Sequence, residues 1–479
     1  MTDLVMPAPG AARSLWLQDA LARDPGEPCP PLTAHVKTDV CIVGGGFAGM
    51  WTAVRLREHD PGVRIVVIES DIVGGGASGR NGGFVSSSWH DLDALVGLFG
   101  DIEGLRYARV LADSVHEIAR FVEANDIPCA LHEGEVLGVR SGEWQGQAGL
   151  GSSEAAERLG AGDRIRPLTA EQVRARIDSP RFLSGSAMAD NAICQPAELV
   201  RGLRRWLLER DVVIHERTPM AGLERTRPAV VRTPHGAVMA GSVVLTMGAW
   251  AAGWRPFRRS FGLISDYVVA TEPIPDRLET IGWTEQIGLA DGRNWLYYLR
   301  PTDDGRIVIG GGAGSAILGG AADGRAATRS RHVAEVPARG LLWMFPQLEG
   351  TRFTHAWGGP IDQTPTFVPF YRTLPPGNVH AGLGYSGHGL TQTYVGGRIL
   401  ASTVLGLDDA WTSLAVNRPE VRLTPPEPLR WPVVRASAFA LERGDARADA
   451  GKRRGALYQL VGSAPLRYRE RLVSRRPGI

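Results

Sequence analysis

The chain has 479 residues, of which 43% are hydrophobic and 22% are charged, as is ordinary for a globular protein large enough to form two domains. Its 53 Lys and Arg residues nearly balance its 51 Asp and Glu residues. The resulting net charge of +2 gives no reason to expect nucleic acid or a membrane surface as a partner.

Cysteine usage and the N-terminus bear on the cellular compartment. The four cysteines are Cys29, Cys41, Cys129 and Cys194. They lack the spacing of metal ligands, so we expect no metal site, and their small number favours a reducing compartment. The first 14 residues lack the basic and apolar regions of a signal peptide. We therefore expect a cytoplasmic protein.

The clearest motif begins a few residues after position 38. A short apolar run leads into Gly44-x-Gly46-x-x-Gly49, then into a helical stretch, and then into a second apolar run that ends on Glu69. This order is that of a dinucleotide-binding βαβ unit. Gly44 permits the tight turn, Gly46 lets the backbone approach a pyrophosphate, and Gly49 lets the helix pack on the strand. Glu69 can accept hydrogen bonds from a ribose, and the helix N-terminus attracts phosphate.

A second glycine-rich loop, residues 74–83 (GGGASGRNGG), follows directly. Glycine costs conformational entropy wherever it is held rigid, so six glycines in ten residues indicate a backbone that lies along a ligand. Together with the GxGxxG unit and residues 14–17 (SLWL), this loop resembles the D-amino-acid-oxidase-like superfamily of FAD oxidoreductases. The likeness is to its γ-glutamylputrescine oxidase and aminophosphonate oxidoreductase branch, and it covers residues 14 to about 410. The resemblance implies that the loop covers the pyrophosphate and ribityl chain of FAD.

The middle of the chain carries helix and strand patterns. Apolar residues recur at three and four between positions 105 and 122, which predicts a long amphipathic helix, and Pro196 begins a second one. Residues 211–214 (DVVI) follow as a predicted strand, and the resemblance implies that the backbone near Val213 holds the adenine. The uncharged stretch 236–254 imitates a membrane span, but its four glycines favour a buried strand followed by a turn.

Residues 263–345 predict a second, antiparallel sheet with a helix beside it. Two β-rich runs, NWLYYLRP and GRIVIGGG, are joined by TDDG at 302–305, which is a strong hairpin signal. Strand alternation places Trp295 and Tyr297 on one side and Tyr298 on the other. One of these sides forms either an aromatic wall for a substrate or part of the core.

Arg300 and His388 are the charged and titratable candidates for the active site. Arg300 would either hold a substrate anion or pair with Asp303 or Asp304. His388 stands in the last glycine-rich turn, within residues 379–390 (VHAGLGYSGHGL). The resemblance implies that the helix after this turn points its N-terminus at the flavin. There His388 would either contact a backbone carbonyl or, as a neutral imidazole, contact the flavin or accept a proton from a substrate ammonium group.

These patterns assign a site and a domain plan. The predicted cofactor-binding residues are Gly44, Gly46, Phe47, Ala48, Gly49, Glu69, Ser70, Gly76, Ala77, Ser78, Arg80, Asn81, Gly82, Gly83, Val213, Thr246, Gly248, Gly384, Tyr385, Ser386, Gly387, His388, Gly389 and Leu390. The predicted catalytic residues are His388, Tyr297 and Arg300, with Trp89 and His90 as weaker candidates.

The fold class that the resemblance implies is α/β, with a Rossmann-like FAD-binding domain of the glutathione-reductase type and a second α+β substrate domain built on an antiparallel sheet. We expect a Pro-rich strap at 1–37, an FAD-binding domain at 38–95 with 190–260 and 355–420, and a substrate domain at 96–189 with 261–354.

The remaining segment, residues 421–479, is a basic extension. From Arg430 onward it holds 12 Lys and Arg residues against 4 Asp and Glu residues, a formal charge of +8. Its prolines should interrupt helix. We expect it to serve as a docking or oligomer-contact segment outside the active site, or else to be a solvated chain end.

The resemblance implies an enzyme that oxidises a C–N bond of an amine or amino acid by hydride transfer to non-covalently bound FAD, with oxygen as acceptor and hydrogen peroxide as product. His90 leaves a covalent flavin open. One alternative is a dehydrogenase or N-demethylase that passes electrons to another carrier. An alternative of another class is an FAD-containing binding or assembly protein without turnover.

Overall fold

The structure is a computed structural model, and it describes residues 4–9, 13–145, 150–293, 295–417, 423–453 and 455–462. Its strands are β1 (His35–Val43), β2 (Ile65–Ile68), β3 (Phe84–Val85), β4 (His132–Arg140), β5 (Ile165–Thr169), β6 (Ser184–Ile193), β7 (Val213–His215), β8 (Gly222–Glu224), β9 (Ala229–Arg232), β10 (Ala237–Leu245), β11 (Gly262–Thr271), β12 (Gly288–Asp291), β13 (Tyr297–Pro301), β14 (Ile307–Gly311), β15 (Ser315–Ile317), β16 (Phe353–Gln363), β17 (Phe370–Leu374) and β18 (Val379–Leu383). Its helices are α1 (Leu15–Arg23), α2 (Phe47–His59), α3 (Leu92–Phe99), α4 (Asp101–Ala124), α5 (Leu150–Arg158), α6 (Ala170–Arg174), α7 (Pro196–Leu208), α8 (Pro275–Thr280), α9 (Arg325–Thr328), α10 (Arg331–Met344), α11 (Gly389–Leu405), α12 (Arg430–Asp449) and α13 (Ala456–Gly462).

The first sheet is the predicted Rossmann-like sheet. Its strand order is β17-β18-β10-β1-β2-β7, and β1 runs parallel to both β2 and β10. Helices α2 and α11 pack together closely, since a Cβ built on Gly397 would lie 2.6 Å from the Cβ of Trp51. The core of this domain consists of two apolar clusters, with Val40 and Ile42 of β1 in one and Cys41 and Val43 in the other, which is why the strands are buried on both faces.

The second sheet is mostly antiparallel, as predicted. Its order is β15-β11-β14-β13-β12-β4-β6-β3, with β16 paired to β11 and β5 to β6. β13 and β14 form the predicted hairpin, and Gly305 in its turn has a φ of +77°, a backbone conformation that favours glycine. Helix α10 packs on this sheet and closes a second core around Tyr267 and Ile309.

The predicted domain boundaries need correction at two points. Residues 355–363 were expected in the FAD-binding domain, but β16 pairs with β11 along its whole length and so belongs to the second sheet. β3 and the end of β6 also lie in that sheet, although 84–85 and 190–193 were assigned to the first domain. The Pro-rich strap at 1–37 contains helix α1, and Ser14 caps the start of this helix by accepting a hydrogen bond from the backbone N–H of Leu17.

Other predicted elements are confirmed. The periodic stretch 105–122 lies within α4, and α7 begins at Pro196. Residues 236–254 form β10 followed by a short turn. Across the part of the chain that the structure describes, no helix is long and apolar enough to span a membrane.

The C-terminal extension is more regular than its prolines suggested. Helix α12 runs through Pro432 without a break. Pro432 lies in the first turn, where backbone N–H groups have no partner within the helix, so the N–H that proline lacks is not needed there. α12 packs beside β15, and α13 packs on α12. The basic residue Arg454 and residues 463–479 lie outside the described part of the chain.

Gly49 should be intolerant of any side chain. A Cβ there would overlap the carbonyl oxygen of Gly44 and lie 2.9 Å from Oγ1 of Thr246. We expect Gly49→Ala to lower the free energy of unfolding by about 1–3 kcal/mol, as overpacking does, in urea titrations of the purified protein. Gly253→Ala is the matched control, because nothing lies within 4 Å of a Cβ at that position. Equal stability of the two variants would contradict this packing role.

Candidate active site

A cavity of 1910 Å³ lies between the two sheets, and residues of all three glycine-rich segments line it. The predicted cofactor residues that line it are Gly44, Gly46, Phe47, Ala48, Glu69, Ser70, Gly76, Ala77, Ser78, Arg80, Asn81, Gly82, Thr246, Gly248, Tyr385, Ser386, Gly387, His388, Gly389 and Leu390. Pockets for a single small molecule hold about 300–1,000 Å³. This cavity therefore has room for a dinucleotide and a substrate together.

The first glycine turn has the geometry of a phosphate site. Gly44 has a φ of +115°, which favours glycine. A Cβ on Gly46 would lie 2.9 Å from Oγ of Ser78, which is too close for a side chain. The absence of a side chain leaves the backbone of Gly46 accessible to a ligand. Helix α2 starts at Phe47, and its N-terminus brings a partial positive charge to this point.

Glu69 is fixed to the same turn. Its carboxylate accepts hydrogen bonds from the backbone N–H of Gly45, at 2.6 Å, and of Asp71, at 2.8 Å. Burial raises the pKa of Glu69, and these backbone hydrogen bonds oppose that rise. The carboxylate lines the cavity beside the GxGxxG turn, where it could accept from a ribose hydroxyl.

The loop at 74–83 is held from behind by four side chains. Four consecutive carbonyl oxygens, those of residues 79 to 82, each accept a hydrogen bond from a different donor. Ser14 Oγ donates to Gly79, Trp357 Nε1 to Arg80 at 2.8 Å, Trp16 Nε1 to Asn81 at 2.9 Å, and Arg300 Nε to Gly82 at 2.8 Å. We call these four side chains the carbonyl clamp. Three of them, Ser14, Trp16 and Arg300, do not line the cavity, whereas Trp357 also forms part of its wall.

The prediction that Arg300 holds a substrate anion, or pairs with Asp303 or Asp304, is wrong. Its side chain is buried and also donates to the carbonyl of Cys194 at 2.6 Å. Burial lowers the pKa of Arg300 to about 10, which still leaves it charged at neutral pH. Asp303 contacts His132 instead, and Asp304 pairs with Arg306.

The catalytic assignment of Tyr297 is also wrong, and the core alternative holds for this residue: its ring is buried under α10 and does not line the cavity. Trp295 does not share a strand face with it, because β13 begins at Tyr297 and Trp295 lies in the turn before it. Trp295 and Tyr298 line the cavity instead. Tyr298 donates a hydrogen bond of 2.6 Å to Asp266, and burial raises the pKa of that carboxyl to about 6.

Four predicted cofactor residues do not face the cavity. Gly49, Gly83 and Gly384 lie behind it, where close neighbours leave no room for a side chain. Val213 is half exposed on the edge strand β7 and is away from the cavity. The chain turns after β7, so that residues 218–220 (TPM) line the cavity in its place.

His388 lies at the start of α11, with two titratable neighbours. The ring centres of His388 and His90 are 5.7 Å apart, and His90 Nε2 lies 3.4 Å from a carboxylate oxygen of Asp91. One ligand atom from each of the three residues lies within 4.8 Å of the others. Two imidazoles and a carboxylate at this spacing are suited to proton transfer, and their geometry would also admit a cation.

Sequence reasoning missed the contribution of the C-terminal extension. Helix α12 was expected outside the active site, but Arg430, Val434, Ala438 and Leu441 line the cavity. A spacing of three and four residues marked these positions as one helix face, yet nothing in the sequence showed which surface that face covers.

The donor set fits FAD. Gly46, the N-terminus of α2 and the clamped loop present backbone where the pyrophosphate would bind, and Glu69 presents a carboxylate to a ribose. The turn before α11 presents the start of a second helix to the other end of the cavity. A flavin there would meet the positive end of that helix.

Comparisons with known proteins bear on the family and the fold. The model of a family described as FAD dependent oxidoreductase (DAO) matches residues 39–403. γ-Glutamylputrescine oxidoreductase of Escherichia coli is 29% identical over 387 residues, which cover 79% of this chain and 86% of that protein. A probable oxidoreductase, OrdL, of Haemophilus influenzae is 24% identical over 387 residues, with the same two coverages. The crystal structure of glycine oxidase from Geobacillus kaustophilus superposes with a TM-score of 0.67 at 18% identity, over 80% of this chain and 99% of that one.

Proposed function

The chain belongs to the family of FAD-dependent oxidoreductases, and from this premise we propose that it oxidises a C–N bond in a primary or secondary amine or an amino acid. The substrate loses a hydride from the carbon next to nitrogen, and the imine hydrolyses in water to a carbonyl compound and an amine or ammonia. The observation that carries the proposal is the group of His388, His90 and Asp91 on the wall of the cofactor cavity.

The chain's own residues bind and orient the reactants. FAD, when bound, would supply a two-electron acceptor. The GxGxxG turn, Glu69 and the clamped loop would hold its adenosine and pyrophosphate parts. The N-terminus of α11 would stabilise negative charge at the opposite end.

His388 is the proposed general base. Only a free amine has the lone pair that drives hydride loss, so a bound ammonium group must first give up a proton. The imidazole of His388 accepts that proton, and His90 beside it, next to Asp91, offers the route onward to solvent.

We further propose that FAD is bound without a covalent bond and that oxygen is the acceptor. All four cysteines are buried and none of them lines the cavity, which removes the thiol route to a flavin bond. Reduced flavins react with oxygen directly, so this acceptor requires no protein partner. Buried free thiols also suit the reducing cytoplasm that the sequence favours.

An amine library would test the proposed activity. The FAD-loaded protein is mixed with each amine or amino acid without oxygen, and flavin absorbance is followed. We expect bleaching by at least one of them and, after air is admitted, about one hydrogen peroxide per amine oxidised. Bleaching without peroxide would reject oxygen as the acceptor and favour a dehydrogenase. A flavin that no member of the library bleaches would contradict amine oxidation itself.

His388→Ala should slow flavin reduction by its best substrate by about 10²-fold, because loss of a general base removes a factor of about 10²–10⁴. FAD content should stay at the wild-type level, as the imidazole is not part of the loop that holds the dinucleotide. His235→Ala is the control, since His235 is exposed in the turn between β9 and β10. Stopped-flow rates across pH would make the comparison. Equal rates for His388→Ala and the control would leave His388 without a catalytic role.

A further inference from the structure

Helix α12 lies outside the matched family region, which ends at residue 403, yet it is fastened across the cavity. Its first residue, Arg430, is buried and donates hydrogen bonds to the carbonyls of Arg258, at 3.0 Å, and Phe261, at 2.8 Å. These carbonyls lie just before β11. The N-terminal end of α12 is therefore fixed to the second sheet.

The other end of α12 is fixed as firmly. Asp449 accepts a hydrogen bond of 2.7 Å from Arg293, which also pairs with Asp291. The side chain of Arg293 is only 2% exposed, and its Cζ lies 4.8 Å from the ring centre of Tyr297 and 4.9 Å from that of Trp343. A buried guanidinium needs both carboxylates, so removal of α12 would leave it underpaired. Helix α12 is thus a wall built into the folded chain.

The cavity face of this wall is apolar. Beyond Arg430 at its start, it consists of Val433, Val434, Ala438 and Leu441 with one hydroxyl, that of Ser437, which donates to the carbonyl of Val461 at 3.1 Å. Their spacing of three and four places them on one side of the helix. Ile264 of β11 and the residues just before β13, Trp295 and Leu296, line the same cavity.

Strand β11 leads from the cofactor loop toward this wall. Asp266 pairs with Gly359 of β16, where a Cβ would lie 3.5 Å from Cδ of Arg80 in the loop. Two residues earlier on the same face of the strand, Ile264 pairs with Ile361. All four of these sheet residues line the cavity.

The path ends beneath α12. A Cβ on Gly387, in the turn that carries His388, would lie 3.6 Å from Cδ1 of Ile361, so the reacting end is beside this isoleucine. At the other end, a Cβ on Gly262 would lie 3.6 Å from Cδ of Arg430. Ile264, which pairs with Ile361, is two residues from Gly262 along β11, a distance of roughly 7 Å.

We propose that α12 forms an apolar subsite for the hydrocarbon arm of the substrate, so that the preferred amines carry an alkyl or aryl group several carbons from the reacting nitrogen. The assignment of the amine to the reacting end rests on the proposed function, whereas the apolar subsite does not. The apolar face of α12 would disfavour a second ammonium group on the arm, because that group would have to be desolvated there.

Calorimetry on the FAD-loaded protein, with its flavin already reduced by dithionite so that no amine turns over, tests the subsite. The probes are butylamine, hexylamine and octylamine. Each methylene buried should tighten binding about fourfold, the equivalent of about 0.8 kcal/mol per CH₂. 1,8-Diaminooctane, of the same length as octylamine, should bind at least about tenfold more weakly because its second ammonium must be desolvated.

Substitutions on the two faces of α12 locate the effect. Val434→Ser and Leu441→Ser should each weaken octylamine binding by about tenfold, the equivalent of about 1.4 kcal/mol, because apolar contact with the arm is lost, and should change butylamine binding by less than about twofold. Phe439→Ser is the matched control, because Phe439 is 54% exposed on the same helix and does not line the cavity. FAD content and thermal midpoint, measured on each variant, show that it is folded.

The outcomes separate the subsite from the activity. Affinity that does not rise with chain length in the wild type, or a rise that Val434→Ser and Leu441→Ser leave intact, would overturn the subsite even if amines bleach the flavin. A rise that these variants abolish and Phe439→Ser preserves would establish the subsite, even if no amine reduces the flavin. Diamine binding equal to that of octylamine would reject the exclusion of a second charge.

Discussion

The active site depends on how the loop at 74–83 is fixed. A loop with six glycines in ten residues has no side chains with which to hold itself, and its rigidity must be supplied from outside. The carbonyl clamp supplies it through donors from three distant parts of the chain: α1 and its cap, β13 and β16. Because three of the four donors, all but Trp357, do not line the cavity, the cofactor side of the loop backbone stays open. A buried arginine is tolerated there because three carbonyl oxygens accept from it.

The clamp also joins the two sheets. Arg300 lies on β13 and Trp357 on β16, both in the second sheet, whereas the loop extends from the strand of the first sheet that ends at Ile68. The surface that would hold FAD and the surface that would hold a substrate are therefore fixed to each other by hydrogen bonds. Helix α12 adds a third wall through the ion pair of Asp449 with Arg293. A cavity enclosed in this way can position a substrate next to a cofactor without a moving part.

Sequence patterns predicted what depends on local spacing. The glycine turns, Glu69 and the hairpin at 302–305 follow from short-range rules of backbone conformation, and they are found where expected. Tyr297 and Arg300 were misplaced because the phase of β13 is set by its pairing with β14, and because a sequence does not show what lies behind a loop. The position of α12 depends on a contact between residues 293 and 449, and no local pattern encodes such a contact.

The affinity of the apoprotein for FAD tests the central claim, that the clamp shapes the cofactor site. Arg300→Met keeps the apolar stem but removes the donors, and a hydrogen bond from a charged group contributes about 1.5–3 kcal/mol. We expect FAD to bind at least about tenfold more weakly to this variant than to the wild type in fluorescence titrations. Arg306→Met is the control, because Arg306 lies on the same hairpin and bonds the carbonyl of Thr271, away from the loop. FAD affinity that is the same in both variants as in the wild type would contradict the account.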